Sequence, residues 1–281
     1  MTRIKIVTDS TVDLSAEMIT KLDIAVVPLS ININGQSYED RVDITPQEFL
    51  DLMRQSDELP KSSQPATGTF VELYDQLNKD GYDEIISIHM TGGMSGTVDS
   101  ARTAADITEA NVTVIDSRFI SKALAFQVIA AAELADKGED YKRIIQRIQE
   151  IQENTKLYVV VDTLENLIKG GRIGKGKGLI GSLLNIKPIA SLADGVYTPI
   201  TKVRSHSQVI KFLSKQLVED AKGKTIKSVG ITHAGGLELA RKLKEVISEL
   251  TGFNHVTIED TTPIISTHTG EGAIGFCYHI E

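Results

Sequence analysis

Short apolar runs alternate with amphipathic stretches through the first half of the chain, and this alternation restricts the fold more than any other feature. Residues 4–7, 85–89 and 112–115 read as short apolar strands, the second of them buried. Residues 16–22, 70–78, 96–106 and 123–135 carry helical periodicity between them. Residues 24–33 read as one strand, followed by the hairpin signal Asn34-Gly35. Thr45-Pro46-Gln47-Glu48 predicts a helix start, with a capping threonine, a proline at the first helical position and a glutamate that completes a capping box. Strand–helix alternation of this kind implies a mostly parallel sheet with helices on both faces.

The second half changes character. Residues 157–161 predict a strand, and Asp194-Gly195 a hairpin between 187–192 and 196–203. Helices are expected over 208–218 and 237–250, and a closing strand over 273–280. The fold class is therefore α/β with two domains. Residues 1–155 form an α/β domain with a mostly parallel sheet, and 156–281 an α+β domain with a largely antiparallel sheet. A chain of 281 residues is long enough for both.

Charge and cysteine content limit the function. With 30 Lys and Arg against 38 Asp and Glu, the net charge of -8 argues against nucleic acid as a partner, as does the absence of Trp. The single cysteine, Cys277, sits in an apolar strand-like run and reads as core filler. The segment MTRIKIVTDS has too short an apolar run for a secretory signal. The apolar region 123–135 is too short to span a bilayer, so no transmembrane segment is expected and the expected location is cytoplasmic.

Four loops carry polar chemistry. The first, Thr91-Gly92-Gly93-Met94-Ser95-Gly96-Thr97, follows a strand and opens a helix, where unpaired main-chain N–H groups favour a phosphate or carboxylate. Ser95 reads equally as a cap on its own helix. Its setting departs from the hydrolase elbow Gly-x-Ser-x-Gly, because Thr97 replaces the last glycine. The second, Gly171-Arg172-Ile173-Gly174-Lys175-Gly176-Lys177-Gly178, approaches a nucleotide P-loop. It has Gly178 where the magnesium-binding hydroxyl belongs, and it follows a helical run, so ATP binding is rejected here. The third, residues 61–68, reads as a hydroxyl-rich loop containing Ser62 just before a helix; the fourth, residues 266–273, as a polar turn containing His268. No spacing suggests a metal site.

Taken together the loops resemble the DegV family, bacterial fatty-acid-binding proteins that include the FakB-type subunits of fatty acid kinase. The likeness runs through IVTDSTVDL at 6–14, SSQPATG at 62–68, MSGTVDSA at 94–101, VIDS at 114–117, GGRI at 170–173, KVRS at 202–205 and HTGEGAIG at 268–275. It implies a long-chain fatty acid, such as palmitate or oleate, held between two domains by a non-catalytic, cofactor-free carrier. By position, Ser62 and Ser95 would hold the carboxylate, with Arg172 and His268 near the head group. Thr91, Gly96 and Thr97 complete the expected fatty-acid-binding set. Arg204 matches a surface arginine implicated in docking an ATP-dependent kinase subunit, which makes the acyl phosphate. The family commonly has threonine at the position of Ser62, and hydroxyl-bearing residues where Gly92-Gly93 stand.

Elementary energetics agree with that expectation. Each buried methylene contributes about 0.8 kcal/mol, so a palmitate-length tail contributes on the order of 10 kcal/mol. An unpaired buried carboxylate costs several kcal/mol, which a helix start with two hydroxyls offsets. Two rivals stand beside it: a serine hydrolase using Ser95, and a phosphate or phosphometabolite binder using the same helix start.

Overall fold

The computed structural model describes residues 2–179, 186–192 and 194–281. In chain order the first elements are β1 (Ile4–Asp9), α1 (Ala16–Lys21), β2 (Ala25–Val27), β3 (Ser30–Ile33), β4 (Gln36–Glu39), α2 (Pro46–Gln55), β5 (Lys61–Ser63) and α3 (Thr67–Lys79). They are followed by β6 (Glu84–His89), α4 (Thr97–Ile107), β7 (Val112–Asp116), α5 (Ser121–Asp136) and α6 (Tyr141–Glu153). The second half holds β8 (Thr155–Val160), α7 (Glu165–Lys169), β9 (Lys187–Ser191), β10 (Thr198–Val203) and α8 (His206–Asp220). It ends with β11 (Ile226–His233), α9 (Leu237–Thr251), β12 (Thr257–Asp260), α10 (Pro263–Thr269) and β13 (Ile274–Ile280).

The N-terminal sheet has the order β2-β1-β6-β7, and all its pairs are parallel. Alternate side chains divide between its faces, as a strand's period of two requires. Ile6, Ile86 and Ile88 pack with Leu124 of α5 and Ile144 of α6. Val7 and Ile85 pack with Phe70 of α3 and Ala101 of α4 on the other face. The C-terminal sheet has the order β10-β9-β8-β13-β11-β12, antiparallel throughout except for β11 with β12. Tyr158 and Val160 point towards Leu213 of α8 and Leu243 of α9. Leu157 and Val159 point the opposite way, into a core shared with Met90, Ile120 and Ile264. That shared core lies between the two sheets, and it contains the site described below.

Three expectations are corrected here. Residues 24–33 are not one strand: β2 joins the parallel sheet, and β3 pairs with β4 and β5 in a separate antiparallel sheet. Pro28 lies at the break, where it has no N–H to give a ladder. Residues 61–68 are not simply a loop, because Lys61–Ser63 form β5, which pairs with β3. Residues 266–273 are not a simple turn, because Ser266–Thr269 form the end of α10, which starts at Pro263. The Asn34-Gly35 hairpin is present, with φ of 52° and 79° at the two residues.

Candidate functional site

Ser62 reaches the interior because β5 pairs with β3, placing Ser62 opposite Ile31. Its Oγ lies 2.7 Å from Nε2 of His268, in the last turn of α10. Burial, and then the charge of Arg172, push the His268 imidazole down to about 4, so the ring is neutral near pH 7. Its Nδ1 is buried without a partner among the described residues. An orphaned acceptor is less costly than an orphaned N–H donor, which assigns the proton to Nε2. Nε2–H then donates to Ser62, and the Ser62 hydroxyl proton is free to point into the cavity. Gly170 leaves room for the ring, since a Cβ there would collide with Nδ1.

Arg172 closes the same end. Its Nε donates to the Met94 carbonyl at 3.1 Å, and Nη1 to the Gly170 carbonyl at 2.6 Å. Nη2 makes no hydrogen bond to the described side chains or main chain, leaving a cation with donors to offer. Ser95 precedes α4, whose N-cap is Gly96 and lacks a side-chain cap. Ser95 Oγ accepts from the Thr97 N–H at 3.3 Å and lies 2.8 Å from Thr97 Oγ1.

Ser62, Ser95, Arg172 and His268 share the wall of one cavity of about 320 Å³. The rest of the wall is largely apolar, with Leu29, Met90, Leu167, Leu192 and Ile264 contributed by both halves of the chain. Three of the polar residues, Ser62, Arg172 and His268, also line an outer cleft of about 740 Å³ with Lys61 and Lys169. The arrangement is an apolar interior with a polar end that communicates with the surface.

The sequence model described as "Uncharacterised protein, DegV family" matches residues 3–281. The chain belongs to the DegV family. It is 46% identical over 282 residues to a DegV domain-containing protein of Listeria monocytogenes, covering 100% of both chains. It is 47% identical over 275 residues to one of Staphylococcus aureus, covering 98% of each. Among solved structures, it is similar to DegV, a fatty acid binding protein from Bacillus subtilis, at 34% identity and a TM-score of 0.91 over 100% of both chains. A fatty-acid-binding DegV family protein from Thermus thermophilus matches at 30% identity and a TM-score of 0.92 over 99% of each.

Other expected site residues of this DegV chain lie beside the cavity rather than in its wall. Thr91 Oγ1 donates to the Gly195 carbonyl in the β9–β10 turn and accepts from the Gly93 N–H at 3.1 Å. A Cβ on Gly93 would stand 2.6 Å from the Gly195 oxygen, so the close approach of this turn accounts for a glycine here. Gly96 packs against Gln64, and Thr97 is fully buried beneath Ser95. Arg204 is exposed just before α8, its N–H bonded to Gln208. Cys277 is buried, and burial pushes its thiol up.

One constellation escaped the sequence reading. Ser87 Oγ lies 2.7 Å from His89 Nε2, and His89 Nδ1 lies 3.1 Å from Asp9 Oδ2. This Ser–His–Asp chain is fully buried, and Tyr74 lies 2.7 Å from Ser87. It holds the ends of β1 and β6 together beneath the cavity, where Asp9 also accepts from Thr11 and Met90. A strand ending in Ile-His next to one ending in Thr-Asp was the available signal. The alternation that identified the strands gave no pairing between them.

Proposed function

We propose that this chain binds a long-chain fatty acid in the cavity between its sheets and presents the carboxylate to a separate ATP-dependent kinase for acyl-phosphate formation. The observation that carries this reading is the shared wall. Ser62, Arg172 and His268 border both the apolar cavity and the outer cleft. A carboxylate among them keeps its hydrocarbon buried while its oxygens face an approaching phosphoryl donor. Ser62 and Ser95 donate hydroxyl protons, and Arg172 supplies charge through its remaining donors. Neutral His268 fixes the direction of the Ser62 hydroxyl. The solved relatives from Bacillus subtilis and Thermus thermophilus, both described as fatty-acid-binding, support the cargo. The kinase step rests on the accessibility of the head-group end and the exposed Arg204.

The hydrolase alternative has less support. Ser95 hydrogen-bonds to Thr97, while the cavity imidazole bonds Ser62. No acid among the described residues orients that imidazole, and its depressed pKa makes it a weak general base. Mass spectrometry of freshly purified, denatured protein tests the carrier reading. One fatty acid per chain is expected. Ligand-free protein that also fails to take up palmitate or oleate would overturn it.

A further inference from the structure

The cavity has a second end. A small void of about 20 Å³ adjoins it, and Ile120, Val159, Ile265 and Thr269 line both spaces. None of the polar head-group residues lines the void, so it lies away from Ser62 and Arg172. Its wall includes four hydroxyl residues, Ser121, Thr232, Thr261 and Thr269, and each already has a use for its proton. Ser121 donates to the Asp13 carboxylate, so the proton of its 3.0 Å contact with Thr232 comes from Thr232. Thr261 donates to Asp13 at 2.9 Å, and Thr269 to the Ile265 carbonyl at 3.0 Å. The void therefore offers an entering group no free hydroxyl donor. Void walls without available polar partners stay dry and favour apolar occupants.

We propose that this void seats the terminal methyl of the bound chain, and that Ile120, Val159, Ile265 and Thr269 form a collar that sets the chain length accepted. The proposal rests on the fatty-acid reading and adds to it a length limit and a requirement for an apolar far end. A cavity of about 320 Å³ is near the lower bound for small-molecule sites, roughly 300–1,000 Å³, so the last carbons of a long chain need the adjoining space. An α,ω-dicarboxylic acid is disfavoured because its second carboxylate would meet no free hydroxyl donor there.

The test compares the affinities of laurate, palmitate, stearate and hexadecanedioate for the wild type, Ala273→Val and Ile265→Val. Ala273 lines the void but not the main cavity, so the added methyl groups reduce only the far space. Burial of each methylene is equivalent to about fourfold in affinity. Ala273→Val is expected to weaken stearate binding by about tenfold or more while leaving laurate unchanged. Ile265→Val opens the collar by one methylene and shifts preference towards the longer acids. Hexadecanedioate is expected to bind wild type about a hundredfold more weakly than palmitate. Wild type that binds none of the monoacids would overturn the fatty-acid reading itself. Wild type that binds them, with Ile265→Val and any folded Ala273→Val keeping its length profile, would overturn the collar alone. Dicarboxylate binding equal to palmitate would overturn the donor-free end.

Discussion

Thr91 Oγ1 donates to the main-chain carbonyl of Gly195 at 2.9 Å, joining the loop that opens α4 to the β9–β10 turn of the other sheet. The two chains can approach this closely because Gly93 has no side chain: a Cβ there would lie 2.6 Å from the Gly195 oxygen and 2.7 Å from Val196 Cγ1. Gly93→Ala should therefore separate the loop from the turn and destabilise the protein by about 1–3 kcal/mol. Urea unfolding checks this. An unchanged midpoint would mean that the turn relaxes without loss.

Ser62→Ala and Ser95→Ala should differ in their effect on binding. Removing the Ser62 hydroxyl leaves the His268 Nε2–H without its acceptor, so stability should fall by about 1–3 kcal/mol even without ligand. Ser95→Ala removes an acceptor from the Thr97 N–H at the start of α4, so ligand-free stability should fall by about 0.5–2 kcal/mol. It should weaken fatty acid binding more than Ser62→Ala does, because Ser95 also stands at the positive end of α4. Thermal unfolding and ligand titration separate the two effects. Wild-type affinity in both variants would place the carboxylate elsewhere.

Asp40 ties the two halves together by accepting from the Ile264 N–H at 3.2 Å, at the start of α10. Burial pushes its carboxyl up to about 7. The folded state therefore holds a proton that the unfolded chain releases above an ordinary carboxyl pKa of about 4. Stability should fall as pH rises from about 4 to about 7 and then level off. Asp40→Asn keeps an acceptor for Ile264 and removes the ionisation. It should exceed wild type at pH 8 by up to a few kcal/mol, and the difference should shrink towards pH 4. Denaturant titrations at both pH values measure it.

His268 has the opposite slope. Its ring stays neutral in the fold down to about pH 4, while the unfolded chain takes up a proton below about 6.5. Its contribution is present above pH 6.5 and is lost as pH falls towards 4. NMR of the His268 ring should show no titration between pH 8 and 5.5. A midpoint near 6.5 would contradict the buried, cation-flanked environment.

Arg204→Glu should leave fatty acid retention unchanged, because the side chain is exposed and outside the cavity wall. Acyl-phosphate formation with an ATP-dependent fatty acid kinase should fall by tenfold or more, as expected for reversal of charge at an interface. Equal rates for the two proteins would remove Arg204 from the docking surface.

Local chemistry made much of the architecture legible. The capping box at Thr45 and Glu48 forms as the residues suggest, with the Glu48 carboxylate 2.9 Å from the Thr45 N–H. The strand–helix alternation identifies β1, β6, β7 and their helices because β1 and β6 bury short apolar runs on both faces and the helices pack an apolar stripe against them. Contacts between distant segments were less accessible. Ser62 sits on a three-residue strand that exists only because β3 provides a partner, and no local periodicity announces it. Thr262-Pro263 repeats the Thr-Pro start seen at α2, but α10 is short and buried, so its polar residues resembled a turn. Ser62 and His268 are 206 positions apart, and only the packing of α10 beside β5 brings them together.

The wall shared by the inner cavity and the outer cleft has a consequence for transport. On the fatty-acid reading proposed above, an enzyme acting from the cleft side would alter the head group while the hydrocarbon stayed sheathed. The oily molecule would then never travel alone through water, and its own low solubility would cease to limit its supply. What diffused from one reaction to the next would be the protein with its freight aboard.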